Sequence, residues 1–313
     1  MNPKVSIVIA SYNTDKYIVE CVNSATQQDY ENIEVIVVND GSTDTTEELL
    51  SELARKSAKL KILTQKNQGQ SVARNNGAAI ATGEFIIFLD SDDLFDKQLI
   101  SKCINSLIDT NSDIIFFNGD TFYDDENDEE TANFTPEYIR NPTLCGKVLD
   151  SVAFFKESWK LKNYTVQPCM FVSKTQLVMD NLFYPGIIHE DNLFTTKILL
   201  SKKSSIICIN DSLYKRRIRR NSVMTSKKSE KNAIGYLTVA KEMIKLRSKD
   251  DDELNSCLNE FISSCIHSSI NDAKSHFKKI PKELKKEYIS AIKDIGLMNI
   301  RKKTLIKFIL SYI

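Results

Sequence analysis

Over the first 118 residues, short unbroken apolar runs take turns with stretches in which apolar residues recur every three or four positions. The runs cover 5–10, 33–39, 61–63, 85–89 and 113–117, and their β-branched and aromatic residues predict strands. Between them, helices are predicted to begin near Lys16, Thr45, Gln70 and Lys97. Strands alternating with helices imply a mostly parallel α/β sheet covered on both faces. Segments such as IEVIVV (33–38) and FIIFL (85–89) are apolar throughout, as strands buried on both sides must be. From 120 to 142 the pattern lapses into an acidic, turn-rich stretch, expected to form a surface loop or lid. Short strand and helix signals return over 148–214 and are expected to complete the same domain. Beyond Val223 only helical periodicity remains, over 231–247, 253–273, 282–293 and 301–312. The pattern therefore divides the chain into an α/β domain, 1–223, with halves 1–118 and 119–223, and a helical C-terminal region, 224–313.

Composition changes this picture little, but charge does. Lys plus Arg and Asp plus Glu each number 42, which gives no reason to expect nucleic acid as a partner. The balance is uneven along the chain, because residues 274–313 carry a net charge of about +8. That segment ends in Leu305, Ile306, Phe308, Ile309, Leu310, Tyr312 and Ile313, behind the cations Arg301, Lys302 and Lys303. Two readings are open for it: peripheral contact with an anionic membrane, or packing against the rest of the chain or a second copy in a homodimer. The seven cysteines are scattered and never spaced as CxxC, which argues against a zinc site or disulfide framework. No apolar stretch approaches the roughly 18 residues of a membrane span, and Met1 leads straight into a strand, so the cytoplasm is the expected compartment, with the inner face of the membrane as a further location.

In sheets of this type ligands bind beyond the carboxyl ends of the strands, and those ends are polar here. The first strand ends in Ser11, Tyr12 and Asn13, the second in Asn39, Asp40, Gly41 and Ser42, and the fourth in Asp90, Ser91, Asp92 and Asp93. Three carboxylates crowded at a strand end repel one another and favour a compensating cation. A hard divalent ion, Mg²⁺ or Mn²⁺, suits oxygen ligands of this kind; the alternative is an Asp-rich turn that caps the next helix. Asp40 can accept hydrogen bonds from a base or ribose, and Tyr12 can stack on a base. Arg74, one turn into the helix that follows Asn67-Gln68-Gly69, carries a fork suited to diphosphate oxygens. Asp44 reads as an ordinary helix cap. Of the three histidines, His267 and His276 are expected to be structural, and His189 is a candidate for contact with a ligand. The single tryptophan, Trp159, is expected in the core.

Taken in order, Val5 to Asn13, Val38-Asn39-Asp40-Gly41-Ser42-Thr43-Asp44, Asn67-Gln68-Gly69 with Ala73-Arg74-Asn75, and Phe88-Leu89-Asp90-Ser91-Asp92-Asp93 resemble the family 2 glycosyltransferases of bacterial surface polysaccharides. The resemblance implies a GT-A fold, with 1–118 as nucleotide-binding half and 119–223 as acceptor-binding half. It implies an inverting transfer from a nucleoside diphosphate sugar, a UDP-sugar by expectation, onto a glycan or lipid-linked glycan. Ser11, Tyr12, Asn13, Asp40, Asn67, Arg74, Asp90, Ser91 and Asp92 would then bind the donor. Asp90-Ser91-Asp92 would be the DXD motif, with Asp92, and Asp90 beside it, on Mn²⁺ or Mg²⁺. Ile188-His189-Glu190-Asp191-Asn192 looks like the family's ED motif, in which Asp191 is the general base, with Glu190 as the second candidate. Asp191 also falls where a helix N-cap belongs, and a helix N-terminus would weaken it as a base. Tyr214 to Met224 is similar to a Tyr-x-Arg segment followed by Ser, from which Arg216 or Arg217 would stabilise the leaving diphosphate. Two rivals remain beside this reading. A sugar nucleotidyltransferase wants a glycine-rich loop after the first strand, and Ser11 to Asp15 has no glycine; a catalytically silent relative acting as a binding subunit would keep the fold without the acids. A dehydrogenase is excluded for want of GxGxxG.

Overall fold

The computed structural model describes residues 2–124, 138–219 and 228–309. The expected lid at 120–142 falls partly outside them, as do the Asn221 to Met224 end of the basic segment, the boundary at 223, and the last four residues.

The N-terminal half forms as the apolar runs predict. Strands β1 (Val5–Ser11), β2 (Ile33–Asn39), β3 (Leu60–Thr64) and β4 (Phe85–Asp90) alternate with helices α1 (Ile18–Thr26), α2 (Thr46–Lys56) and α3 (Gln70–Ala79). They lie in the order β3-β2-β1-β4, all parallel, with Val8 beside Ile36 and Phe88. Period-two alternation splits each strand between two cores: Val5, Ile7 and Ile9 point into one, Val8 into the other. Helix α3 comes so close to β1 that a Cβ on Gly77 would stand 2.4 Å from Val8 Cγ1. The close approach puts Arg74, one turn earlier, directly over the sheet.

The first half closes with β5 (Leu94–Phe95) and α4 (Leu99–Thr110), β6 (Ile114–Tyr123) crosses into the second, and the second adds β7 (Val148–Asp150), α5 (Ser151–Lys160), β8 (Phe171–Lys174), α6 (Thr175–Met179), α7 (Glu190–Leu200) and β9 (Ser205–Ile218). Strand β8 runs antiparallel to both β4 and β6, which restores the original direction in β6 and its parallel neighbour β9. Among the described residues the result is one nine-stranded sheet, six strands of which run the same way. It is the mixed, mostly parallel sheet flanked by helices that the pattern implied. Strand β6 extends six residues beyond the predicted end, because its partner β9 continues alongside it as far as Ile218.

The C-terminal region consists of α8 (Glu230–Ile244), α9 (Asp252–His276), α10 (Lys282–Ile295) and α11 (Lys302–Ile309). It shares one continuous core with the face of the sheet that carries α3, α5 and α7. Trp159 stacks on Phe261 of α9 with ring centroids 5.0 Å apart, and its Nε1 donates to Glu260 at 3.1 Å, so it joins α5 to the helical region as an element of the core. No helix among the described residues is long and apolar enough to cross a membrane. Tyr288, Ile292, Ile295 and Ile300 are buried, whereas Leu297, Met298, Ile306 and Ile309 are exposed.

Candidate active site

The site is assembled at the carboxyl ends of β1, β2 and β4. Ser11 turns inward, its hydroxyl hydrogen-bonded to Thr14 at 2.8 Å. Asn13 takes a left-handed backbone conformation (φ 52°), which asparagine tolerates, and its Oδ1 accepts from Thr43 N at 2.8 Å. Between them Tyr12 is left 48% exposed, at the open end of the strand. Asp40 is buried, and its carboxylate organises the neighbouring loop: Oδ1 accepts from Gln65 Nε2 and Gln68 N, and Oδ2 from Gly69 N, all at 2.8 Å. A carboxylate has about four acceptor positions, and three of those of Asp40 are taken. Asn67 lies exposed in the loop that Asp40 shapes.

Arg74 lies between two carboxylates. Its guanidinium is not turned to solvent but is buried, with NH2 on Asp90 Oδ1 at 2.6 Å and NH1 on Glu190 Oε1 at 2.8 Å, and it lies over the Phe183 ring. Gln70 also donates to Glu190 Oε1, at 2.5 Å. One cation is thus shared by two carboxylates, and they respond in opposite ways. Although Asp90 loses hydration, Arg74 and Arg216 hold its carboxyl below the usual range. Burial pushes the Glu190 carboxyl up to about 7 against the pull of Arg74, with the neighbouring Asp191 adding to the rise.

The three aspartates after β4 have separate surroundings. Asp90 and Asp92 remain partly exposed, and Asp92 Oδ2 accepts from Arg219 Nε at 2.7 Å. Asp93 is closed off: Tyr214 donates to its Oδ2 and Arg217 N to its Oδ1, and burial together with the charges of Asp92 and Asp90 raises its carboxyl well above the ordinary value. Ser91 is buried in the turn. Asp93 therefore anchors β9, whereas Asp90 and Asp92 keep partial exposure beside their pairings with Arg74 and Arg219. Among the described residues no group of three or more His, Cys, Asp or Glu could hold an ion unaided. Two carboxylates completed by phosphate oxygens are a common setting for Mg²⁺, and the partly exposed Asp90 and Asp92 fit that.

The basic segment resolves differently from its sequence reading. Arg217 is largely buried, bound to Glu20 at 2.6 Å and Asp124 at 3.3 Å, with Nε on the Asp92 carbonyl at 2.9 Å, so it clamps β9 to α1. Arg216 lies over the Tyr138 ring, within electrostatic reach of Asp90 and Asp93. The side chain that meets Asp92 is Arg219, which sequence reasoning passed over; its place just past the end of β9, two residues beyond Arg217 in the basic run, was the available signal.

The ED pair opens α7. The N-cap is His189 (φ 71°, left-handed), so Asp191 lies within the first turn and not at the cap. Burial raises the Asp191 carboxyl and outweighs the two hydrogen bonds from Asn192, at 2.8 and 2.9 Å, that would lower it. The feared loss of basicity is thereby reversed. Both bonds go to Oδ1, and Oδ2 takes none from any described residue. His189 itself stacks on Tyr236 of α8, ring centroids 3.7 Å apart, and burial with Lys228 nearby lowers its imidazole to about 4.

A family model described as glycosyl transferase family 2 matches residues 6–160. Glycosyltransferase GlyG of Streptococcus pneumoniae serotype 4 is 31% identical over 229 residues, covering 72% of this chain and 74% of GlyG. Glycosyltransferase GlyA of the same organism is 30% identical over 228 residues, 71% of this chain but only 32% of GlyA, so the chain spans about a third of that relative's length. Among solved structures, residues 1–349 of S. aureus TarS in complex with UDP-GlcNAc superpose with a TM-score of 0.71 at 23% identity, over 96% of this chain and 82% of that one. This last likeness establishes the GT-A fold.

The depressed imidazole has a measurable consequence. Unfolded histidine titrates near 6.5 and His189 near 4, so as the pH falls through that window only the unfolded chain gains the proton, and stability present above about pH 6.5 is lost. His189→Asn, which keeps a left-handed cap, is expected to flatten this dependence. In urea melts its deficit relative to the natural protein should shrink between pH 7 and pH 5; a constant deficit would mean that the imidazole is not held neutral.

Proposed function

The chain belongs to glycosyltransferase family 2, and from its site we propose that it transfers a sugar from a UDP-sugar to a hydroxyl of a bacterial surface glycan, with inversion. The observation that carries this reading is the meeting of the DXD and ED segments on Arg74. It brings Asp90 and Glu190, the chain neighbours of Asp92 and Asp191, onto one buried cation. In this proposal residues 1–223 form the catalytic domain and 224–313 a helical support.

The exposed ring of Tyr12 and the remaining acceptor position of Asp40 receive the nucleoside, with Asn13 and Asn67 at the edge. Asp90 and Asp92 would hold Mn²⁺ or Mg²⁺, which when bound neutralises the diphosphate. Arg216 and Arg219 border the same space and add positive charge where the leaving group forms. Arg74 keeps both carboxylates in place, and its part in donor binding is indirect. Asp191 Oδ2 accepts the proton of the acceptor hydroxyl as its oxygen bonds to the anomeric carbon and the bond to the diphosphate breaks, releasing UDP. A carboxyl raised by burial is better suited to this than an ordinary one. A single displacement inverts the anomeric configuration. The complete set of acids favours an enzyme over a silent binding subunit.

The exposed Leu297, Met298, Ile306 and Ile309, with Arg301, Lys302, Lys303 and Lys307 beside them in the sequence, support peripheral contact with anionic lipid. Cations at such a surface contribute about 1 kcal/mol each. Co-sedimentation with phosphatidylglycerol vesicles at low salt is expected, and Ile306→Glu with Ile309→Glu should abolish it. Negligible binding by the natural chain rules the contact out.

The transfer reading is tested by UDP release from a panel of UDP-sugars. Turnover should stop in EDTA and return with Mn²⁺ or Mg²⁺, and Asp92→Asn should fold but be inactive. Asp191→Asn should lose roughly 100-fold or more in turnover while its affinity for UDP stays within about twofold. Full turnover in EDTA removes the metal from the proposal. Natural turnover by Asp191→Asn passes the role to Glu190, and binding of UDP without turnover of any donor would mark a silent subunit.

A further inference from the structure

Helix α8 carries no residue that the transfer reaction calls for, yet it lies against the peptide that carries the proposed base. Tyr236 stacks on the His189 imidazole at a centroid distance of 3.7 Å and an interplanar angle of 17°. One residue earlier, Gly235 is buried against the Ile188 carbonyl, and a Cβ there would stand 2.2 Å from the oxygen. The main chains of α8 and the turn before α7 therefore approach as closely as a missing side chain permits. Asn232, a turn earlier on α8, brings its Nδ2 to 3.5 Å from His189 Nε2.

The residue so gripped is in an unfavourable conformation. His189 has φ 71° and ψ 23°, and a left-handed residue other than glycine persists only where its surroundings over-determine it. Those surroundings are fixed from behind. Ser269 of α9 donates to the Ala233 carbonyl at 2.5 Å and shares a hydrogen bond of 2.8 Å with the Tyr288 hydroxyl of α10. The position of residues 232–236 is thus set by the helical region, not by the sheet.

We infer that Tyr236, seated by Gly235, is a positioning residue for transfer: the C-terminal helical region holds the His189 turn left-handed and so aims the Asp191 carboxylate two residues on. This rests on the assignment of Asp191 as base made above. The donor side stands on other elements, since Asp40 and Asp92 follow β2 and β4 and Asp90 ends β4. Release of the stack lets the Asp191 carboxylate turn away while Glu190 stays bound to Arg74, so the donor side is kept. A misplacement of about 1 Å in such a group can cost on the order of 100-fold in rate.

The full chain is assayed with the UDP-sugar that gives turnover, and UDP affinity is measured by calorimetry. Tyr236→Phe keeps the ring and should retain natural kcat. Tyr236→Leu should lower kcat about tenfold or more, with donor KM and UDP affinity within about twofold. Because Tyr236 acts through Asp191, adding Tyr236→Leu to Asp191→Asn should cost nothing further. Should Tyr236→Leu fail to fold, Gly235→Ala, whose Cβ must push the Ile188 peptide aside, carries the same expectation. Natural kcat in the folded Tyr236→Leu or Gly235→Ala protein, with Asp191→Asn inactive, overturns the inference and leaves the base assignment standing. Natural turnover by Asp191→Asn overturns the assignment itself, and a loss in the double variant beyond that of Asp191→Asn makes Tyr236 a general structural residue.

Discussion

The guanidinium of Arg74 lies between Asp90 and Glu190, and the arrangement of the site depends on that shared ion pair. The three residues are far apart in sequence, separated by 16 and 116 positions, and come from α3, the end of β4 and the start of α7. A cation buried between two carboxylates cannot be removed without leaving buried charge uncompensated, a change that typically costs about 3–5 kcal/mol. Each acidic motif thereby divides its work. Asp90 and Glu190 face Arg74, while Asp92 and Asp191, the other acid of each pair, remain partly open. The same division appears at Asp93, which spends both oxygens on β9.

Around this centre the sheet and the C-terminal helices act as two supports for one cleft. The parallel strands deliver Asp40 and Asp90 by their registry, since Ser11 is paired with Asn39, and Ala10 with Asp90. The helical region reaches the other wall through α8, against the turn that starts α7. Because its core is continuous with one face of the sheet, the region is coupled to the site mechanically even where it offers no reacting group.

Much of this was legible in the residues. The apolar runs located β1 to β4, and the polar strand ends located Asp40, Asp90 and Asp92, because burial on both faces and a crevice at the carboxyl ends leave direct marks on sequence. What was not legible depends on pairing between distant segments. Strand β5 is two residues long and exists through its bonds to Tyr214 and Lys215 of β9. Arg74 looks like any helical arginine until Glu190 arrives from 116 residues away. Arg216, Arg217 and Arg219 are indistinguishable by composition, and only their tertiary contacts with Tyr138, Glu20 and Asp92 tell them apart. The left-handed cap at His189 is held by tertiary contact, so no local signal announces it, and the cap was placed two residues too late for that reason.

The most direct measurement is a double-mutant cycle on the central ion pair, with Arg74→Met, Glu190→Gln and the double variant compared in urea unfolding and in UDP binding. A bridge that is mainly structural predicts a coupling energy of about 2 kcal/mol or more between the two substitutions, with UDP affinity changed little by Glu190→Gln and recovered in part when both are replaced together. Additive stabilities, combined with a steep loss of UDP binding confined to Arg74→Met and unaffected by Glu190→Gln, would contradict it and return Arg74 to the diphosphate.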